Sequence, residues 1–290
     1  MAEVEFSIQR AGFATIRLDT DGGGPYGLQS GTAGLGVGPV YPRFVSGAGD
    51  GARFAGDRVG AKPMDLGLIF LGDDRLSTGD LIRDLRSMTR TIRGQPQPVL
   101  VAEFADGSAF EVPFVYTSGL ELDHSDALPW VYTATVAVMC PNPYWLASTA
   151  TEFMVRNDDL VGLLPHLAEL PVMSSSAIGS IQVENPGDVE CPVEWRITGP
   201  GGPPTISING RGFVFKSALV AGEIITIVAD GERVSVTDQT GANRYPLLGP
   251  APKFPFLPTG VSTVDITMPN AVPGVSAVAG LFKPRREVVY

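Results

Sequence analysis

Histidine and cysteine are scarce: the 290 residues hold two of each. Cys140 and Cys191 are too few for a secreted disulfide scaffold, and each sits in an apolar run that reads as a buried strand, so free core thiols are expected. His124 in LDHSD and His166 in LLPHLAEL follow no G-x-S-x-G elbow, which argues against a nucleophile and histidine pair. The same four residues fall at no paired ligand spacing, which argues against zinc. No stretch approaches ~18 consecutive apolar residues, and the opening MAEVEFSIQR has no basic run followed by an apolar one. A chain with neither span nor secretory signal, folded in a cytoplasm, is the expectation.

Phosphate and dinucleotide loops are missing too. GLGVGP has two glycine spacings of a dinucleotide loop, but Pro39 follows and no helix comes after it, so it reads as a turn. RLDTDGGG has the look of a calcium loop, yet setting Gly22 at its sixth position puts Arg17 first and Leu28 twelfth, where carboxylates are needed. The residues therefore name no catalytic, metal-binding or cofactor-binding site, and the chain is read as not an enzyme. A glycosidase carboxylate pair stays an alternative, because 31 acidic residues place some pairs at catalytic separation by chance.

What the chain does have is glycine, proline and acid. Its 35 glycines and 25 prolines punctuate short runs, so many turns between short strands follow. The net charge of −10 argues against nucleic acid or anionic lipid held by bulk attraction. With 44% apolar residues the chain can bury a sizeable core, and its length suits two domains.

VECPVEWRIT, residues 189–198, carries the clearest strand pattern, with apolar side chains at every odd position from Val189 to Ile197 and with Glu190, Glu194 and Arg196 on the other face. One sheet face is meant for water, which favours antiparallel layers over a doubly wound parallel sheet. Pro192 lacks a ladder donor, so an edge or a bulge is expected there.

The first half reads as α+β. Strands are expected near 3–9, 12–19, 52–59, 64–71 and 130–140. QPVLVAEFADGSAFEVPFVY reads as a hairpin turning at Asp106 and Gly107. One helix is expected over STGDLIRDLRSMTRTIR, capped by Ser77 or Thr78, with Leu81, Leu85, Met88 and Ile92 on its buried stripe. Arg83, Arg86, Arg90 and Arg93 face solvent. Ahead of these lies a segment with eight glycines between Gly22 and Gly38, expected to be disordered or to order against a partner.

The pattern loosens from about 146, and the chain is divided into 1–145, a connection at 146–177, and 178–290. Short strands separated by turns, with no helix between them, make the last part an all-β sandwich. Tyr245, Phe254 and Phe256 could stack on sugars there, which keeps a carbohydrate-binding module as another alternative.

The order of motifs resembles the distal tail proteins of long-tailed, non-contractile bacteriophages, a family of minor tail proteins, in versions like those of actinobacterial phages. The residues that carry it are PNPYW at 141–145, VENPGDVECPVEWRITGPG at 183–201, TGANRYPLLG at 240–249, FPFLPTGVSTVDITM at 254–268 and LFKPRREVVY at 281–290. The resemblance implies a virion protein assembled in the host cytoplasm, a ring of six copies at the tail tip. It implies a ring-forming first domain, an outward galectin-like β-sandwich, and partners in the tail tube protein and a tip hydrolase or receptor-binding protein. Host glycan is a further partner it allows, and DNA passes through the lumen without being held, which the acidic chain suits. A ring built head to tail needs two different surfaces on each copy. The apolar side chains of the glycine-rich segment, Tyr26, Leu35, Val37 and Tyr41, are expected at a subunit contact.

Overall fold

The structure is a computed structural model that describes residues 4–20, 23–120, 130–156, 179–231 and 233–289. The protein is mainly β, and the chain divides into two compact units, Met1–Ser148 with Arg286–Tyr290, and Thr149–Arg285. His124 and His166 lie outside the described residues.

The first unit contains β1 (Val4–Gln9), β2 (Ile16–Leu18), β3 (Tyr26–Leu28), β4 (Val40–Ser46), β5 (Ala52–Val59), β6 (Lys62–Leu71), α1 (Arg75–Thr89), β7 (Val99–Phe104), β8 (Ala109–Pro113), β9 (Val115–Ser118), β10 (Val131–Cys140) and β11 (Trp145–Ala147). One sheet runs β2-β1-β7-β8-β11 and a second runs β3-β6-β10-β9, while β4 and β5 pair only with each other. The core fills from both main sheets and the helix: Phe6, Ile8 and Leu100 from the first, Leu66, Phe70 and Val136 from the second, and Ile82, Leu85 and Met88 from α1. The hairpin expected at residues 106–107 joins β7 to β8. Gly107 takes φ 80°, and the Ser108 amide and hydroxyl both donate to the Asp106 carboxylate.

The helix starts a turn earlier than its sequence implies and stops earlier as well. Asp74 is the cap, accepting from the Ser77 amide at 2.7 Å, while the Ser77 hydroxyl accepts from the Asp74 amide at 2.9 Å. Ser77 therefore sits inside a reciprocal cap and does not begin the helix. Ending at Thr89 leaves Ile92 outside and exposed, so Ile82 takes its place on the buried stripe. Arg10, itself buried, closes the far end: its guanidinium donates at 2.7 Å to the carbonyls of both Met88 and Arg90, which the last turn leaves without helical partners.

The second unit contains β12 (Thr151–Arg156), β13 (Ser180–Asn185), β14 (Glu194–Thr198), β15 (Thr205–Ile208), β16 (Arg211–Val214), β17 (Ile224–Ala229), β18 (Val234–Asp238), β19 (Gly260–Thr267) and β20 (Ala277–Phe282). Two antiparallel sheets, β12-β20-β14-β17-β18 and β13-β19-β15-β16, face each other across one core, which is a β-sandwich. Trp195 lies at its centre, edge-on to both Phe153 and Phe213. The alternation read from 189–198 holds: Cys191, Val193, Trp195 and Ile197 are buried and Glu190, Glu194 and Arg196 exposed. In the residues just before Pro192 the chain makes single bridges, from Val189 to Arg285 and from Cys191 to Leu257, and the continuous ladder of β14 begins at Glu194.

Two segments differ from the expected division of the chain. Residues 146–147, which continue a strand begun at Trp145, and 151–156, assigned to the loosened connection, are strands, because Trp145, Phe153 and Val155 are core residues and hydrogen bonding follows burial. Residues 286–289, assigned to the sandwich, belong to the first unit, where Val289 is buried in the core and the Arg286 guanidinium lies 4.2 Å from the Phe110 ring centre.

Candidate functional site

The four side chains expected at a subunit contact do not share one environment. Tyr26 is a core residue of β3: its ring packs edge-on against Phe70 and its hydroxyl donates to the Leu81 carbonyl at 3.2 Å. Burial pushes its pKa up to about 12, with the Asp84 carboxylate adding to the shift. Leu35 packs partly buried against the same core. Only Val37 and Tyr41 face outward, at 52% and 60% exposure.

The glycine-rich segment is ordered by its own unit. Ala33 bridges to Asp65, the Trp145 indole donates to the Leu35 carbonyl at 3.0 Å, and the Lys62 ammonium donates to the Gly36 carbonyl at 3.3 Å. Lys62 is almost wholly buried, with its ammonium 5.2 Å from the Trp145 ring centre. Desolvation pulls its pKa below the ordinary lysine value, opposed by the neighbouring Cys140 thiol. The expectation of a segment that orders only against a partner therefore gives way to one fastened at three points from within.

What the segment leads into is open to solvent. Every residue of β4 is exposed, the large apolar Val40, Tyr41, Phe44 and Val45 among them, and so is Phe54 on β5. Phe44 and Phe54 meet edge-on across the ladder, 6.0 Å between centres, each more than half exposed. At the hairpin's base the Tyr41 ring lies over Gly60, in the space that any Cβ there would take. Sequence reasoning placed a strand at 52–59 and missed its partner at 40–46; the β-branched and aromatic residues of VYPRFVS were the available signal, interrupted by Pro42.

No cluster of three or more histidine, cysteine or acidic side chains that could hold a metal occurs among the described residues. Burial pushes both cysteine thiols up to about 11, so each is a protonated core group at neutral pH. Of the aromatics considered for sugar stacking, Phe254 packs against Phe213 in the sandwich core, Phe256 lies beneath the Arg285 guanidinium, and Tyr245 is exposed.

A shallow cavity of ≈ 450 Å³ opens on the first unit beside β1, β2 and β7. Its lining includes the carboxylates of Glu5, Asp19 and Glu103 and the guanidinium of Arg17. Glu5 and Glu103 are directly opposed on neighbouring strands, an arrangement that like charge destabilises. Among the described residues no helix is long and apolar enough to cross a membrane.

No family model matches this chain, and no curated protein matches it. Solved structures do. The SPP1 Dit (gp 19.1) protein, a hub adsorption-apparatus protein of Gram-positive-infecting phages, aligns over 97% of this chain and 98% of its own, with a TM-score of 0.64 and 14% identity. A chain of the phage P2 baseplate in its activated conformation with Ca aligns over 99% of this chain and 100% of its own, with a TM-score of 0.54 and 11% identity. At those identities the likeness is one of fold, and it runs the length of the chain.

Proposed function

We propose that this chain is a structural virion protein of a bacteriophage tail. Six copies form a ring at the distal end of the tail and join the tail tube to the tip apparatus that meets the host. The observation that carries this reading is the end-to-end alignment with a phage adsorption hub: both units of the chain, in order, find counterparts in one phage protein. On this reading the protein acts by holding neighbours at fixed angles. Its first unit makes the ring and meets the tube protein, its sandwich projects toward a tip hydrolase or receptor-binding protein, and DNA passes through the lumen without specific contact. Val37 and Tyr41 take part in the subunit contact directly. Tyr26 and Leu35 serve it from inside, by holding the segment that presents them.

Native mass spectrometry and negative-stain images of the purified chain test the proposal. A six-fold ring that binds its tube protein is the expected result. A chain that stays at its single mass of 30.6 kDa at every concentration and salt would overturn it.

A further inference from the structure

The β4–β5 hairpin has two faces of different chemistry. Successive side chains alternate across a strand, and the register shifts by one residue in β5 between the Pro42 and Phe44 positions. Val40, Pro42 and Phe44 share one face, opposite Val59, Asp57 and Phe54. Tyr41, Arg43 and Val45 share the other, with Arg58 across from Tyr41 and Arg53 across from Val45. Three arginines therefore lie on a face that holds no carboxylate. Among the described residues none of the three makes a side-chain hydrogen bond or an ion pair.

An isolated two-stranded ribbon is marginal in water, and this one also leaves aromatic rings in solvent. It needs a cover. The chain around it is acidic, at net −10. The cavity beside β1, β2 and β7 carries the carboxylates of Glu5, Asp19 and Glu103 against the one guanidinium of Arg17, and Glu5 and Glu103 stand directly opposite each other across the β1–β7 ladder.

We propose that the arginine face of the β4–β5 hairpin is an intermolecular surface, and that it seats on the Glu5 and Glu103 face of a second copy of this chain. The inference rests on the ring assembly above and names the surfaces that make it. Hairpin and carboxylate face are different parts of one unit, so each copy offers one and receives the other, the head-to-tail arrangement that closes into a ring. Arginine from one copy supplies the charge that the opposed glutamates of the next require, and the contact covers a ribbon that is exposed in the single chain.

The test is a charge swap read by native mass. Reversing the hairpin (R43E/R53E/R58E) or the opposing face (E5K/E103K) should each reduce the ring to single chains whose circular dichroism matches the wild type. Mixing the two reversed variants should restore a ring in which they alternate. Hydrogen exchange on the wild type adds a readout that needs no variant: amides of 40–59 should slow at least tenfold between dilute single chains and the ring. A wild-type chain that never assembles overturns the ring reading and this inference with it. A wild-type ring that survives both reversals, or shows unchanged exchange at 40–59, overturns this inference alone. Duplex DNA bound by the wild type and lost in R43E/R53E/R58E, with the ring intact, assigns the arginines to nucleic acid and overturns it as well.

Discussion

The Trp145 indole nitrogen donates to the Leu35 carbonyl at 3.0 Å, between residues 110 positions apart. The bond ties the residue after the PNPY turn to the glycine-rich segment, and so fixes the irregular stretch that leads into the exposed hairpin. Trp145→Phe keeps most of the buried ring and removes the donor. An acceptor left unpaired costs about 1–3 kcal/mol. Thermal unfolding should show a loss of that size, and amide exchange at 33–38 should accelerate more than in the sheets. Equal acceleration everywhere would count against a local tether.

Lys62 makes the companion prediction, and its sign runs opposite to that of a salt-bridged lysine. Burial favours the neutral amine, so the folded pKa lies below the ordinary 10.5. Within the window between the lowered folded value and 10.5, the unfolded chain binds more protons than the folded one, and stability rises with pH. Below that window the burial cost is present in full. Lys62→Met has no such proton to lose. The difference in stability between wild type and Lys62→Met, followed by denaturant unfolding, should stay flat near neutral pH and tilt toward the wild type as pH rises through the window. Parallel profiles across the alkaline range would refute the assignment.

Much of this architecture is legible from local pattern, because alternation, turn chemistry and helix stripes are written within ten residues of each other. The buried run from Cys191 to Ile197 and the turn at residues 106–107 are of that kind. The helix start at Asp74 was legible as well, in an acidic residue followed three positions later by Ser77, but a serine in place of glutamate makes the cap a weaker signal. What local pattern cannot carry is a contact made across the chain. Tyr26 reads as a loop side chain until β6 brings Phe70 beside it, and glycines 34 to 38 read as loose until Trp145 and Lys62 reach them. The same holds for Val289, a terminal residue by position and a core residue by packing. The candidate contact surface was half legible: the right stretch of chain, with the inward and outward side chains sorted only by the fold.

Asp238 holds the turn after β18 with a full set of donors. One carboxylate oxygen accepts from the Thr240 amide at 2.9 Å, the Thr240 hydroxyl at 2.6 Å and the Ala242 amide at 3.0 Å, and the other accepts from the Arg244 side chain at 2.9 Å. Led by the Thr240 hydroxyl, these bonds hold its pKa down to about 2, against an ordinary 3.8. A carboxylate depressed on folding stabilises above its unfolded pKa and loses that contribution as pH falls through the folded one. The wild type should therefore exceed Asp238→Asn in melting temperature at neutral pH, by a margin that shrinks from about pH 4 downward and closes near pH 2. A margin that does not change with acid would show that the turn is held without the charge.

Gly280 tests the packing at the centre of the sandwich. It pairs with Phe153 on one side and Trp195 on the other in the β12-β20-β14 ladder, and the Phe153 ring lies over its α-carbon. A methyl group at 280 would come within 2.6 Å of Phe153 Cε1, so the ring has to leave. Phe153 also stacks edge-on with Trp195 and lies against Phe282, which makes its displacement a disturbance of two aromatic neighbours at once. Overpacking of this kind costs about 1–3 kcal/mol. Gly280→Ala should lose that much in denaturant unfolding and change the near-ultraviolet circular dichroism of Trp195, while Gly280→Ala with Phe153→Leu should recover part of the loss, because the smaller side chain frees the space. If the double variant is no better than the single one, the cost lies in the backbone of β20 and the ring over the glycine is not what requires it.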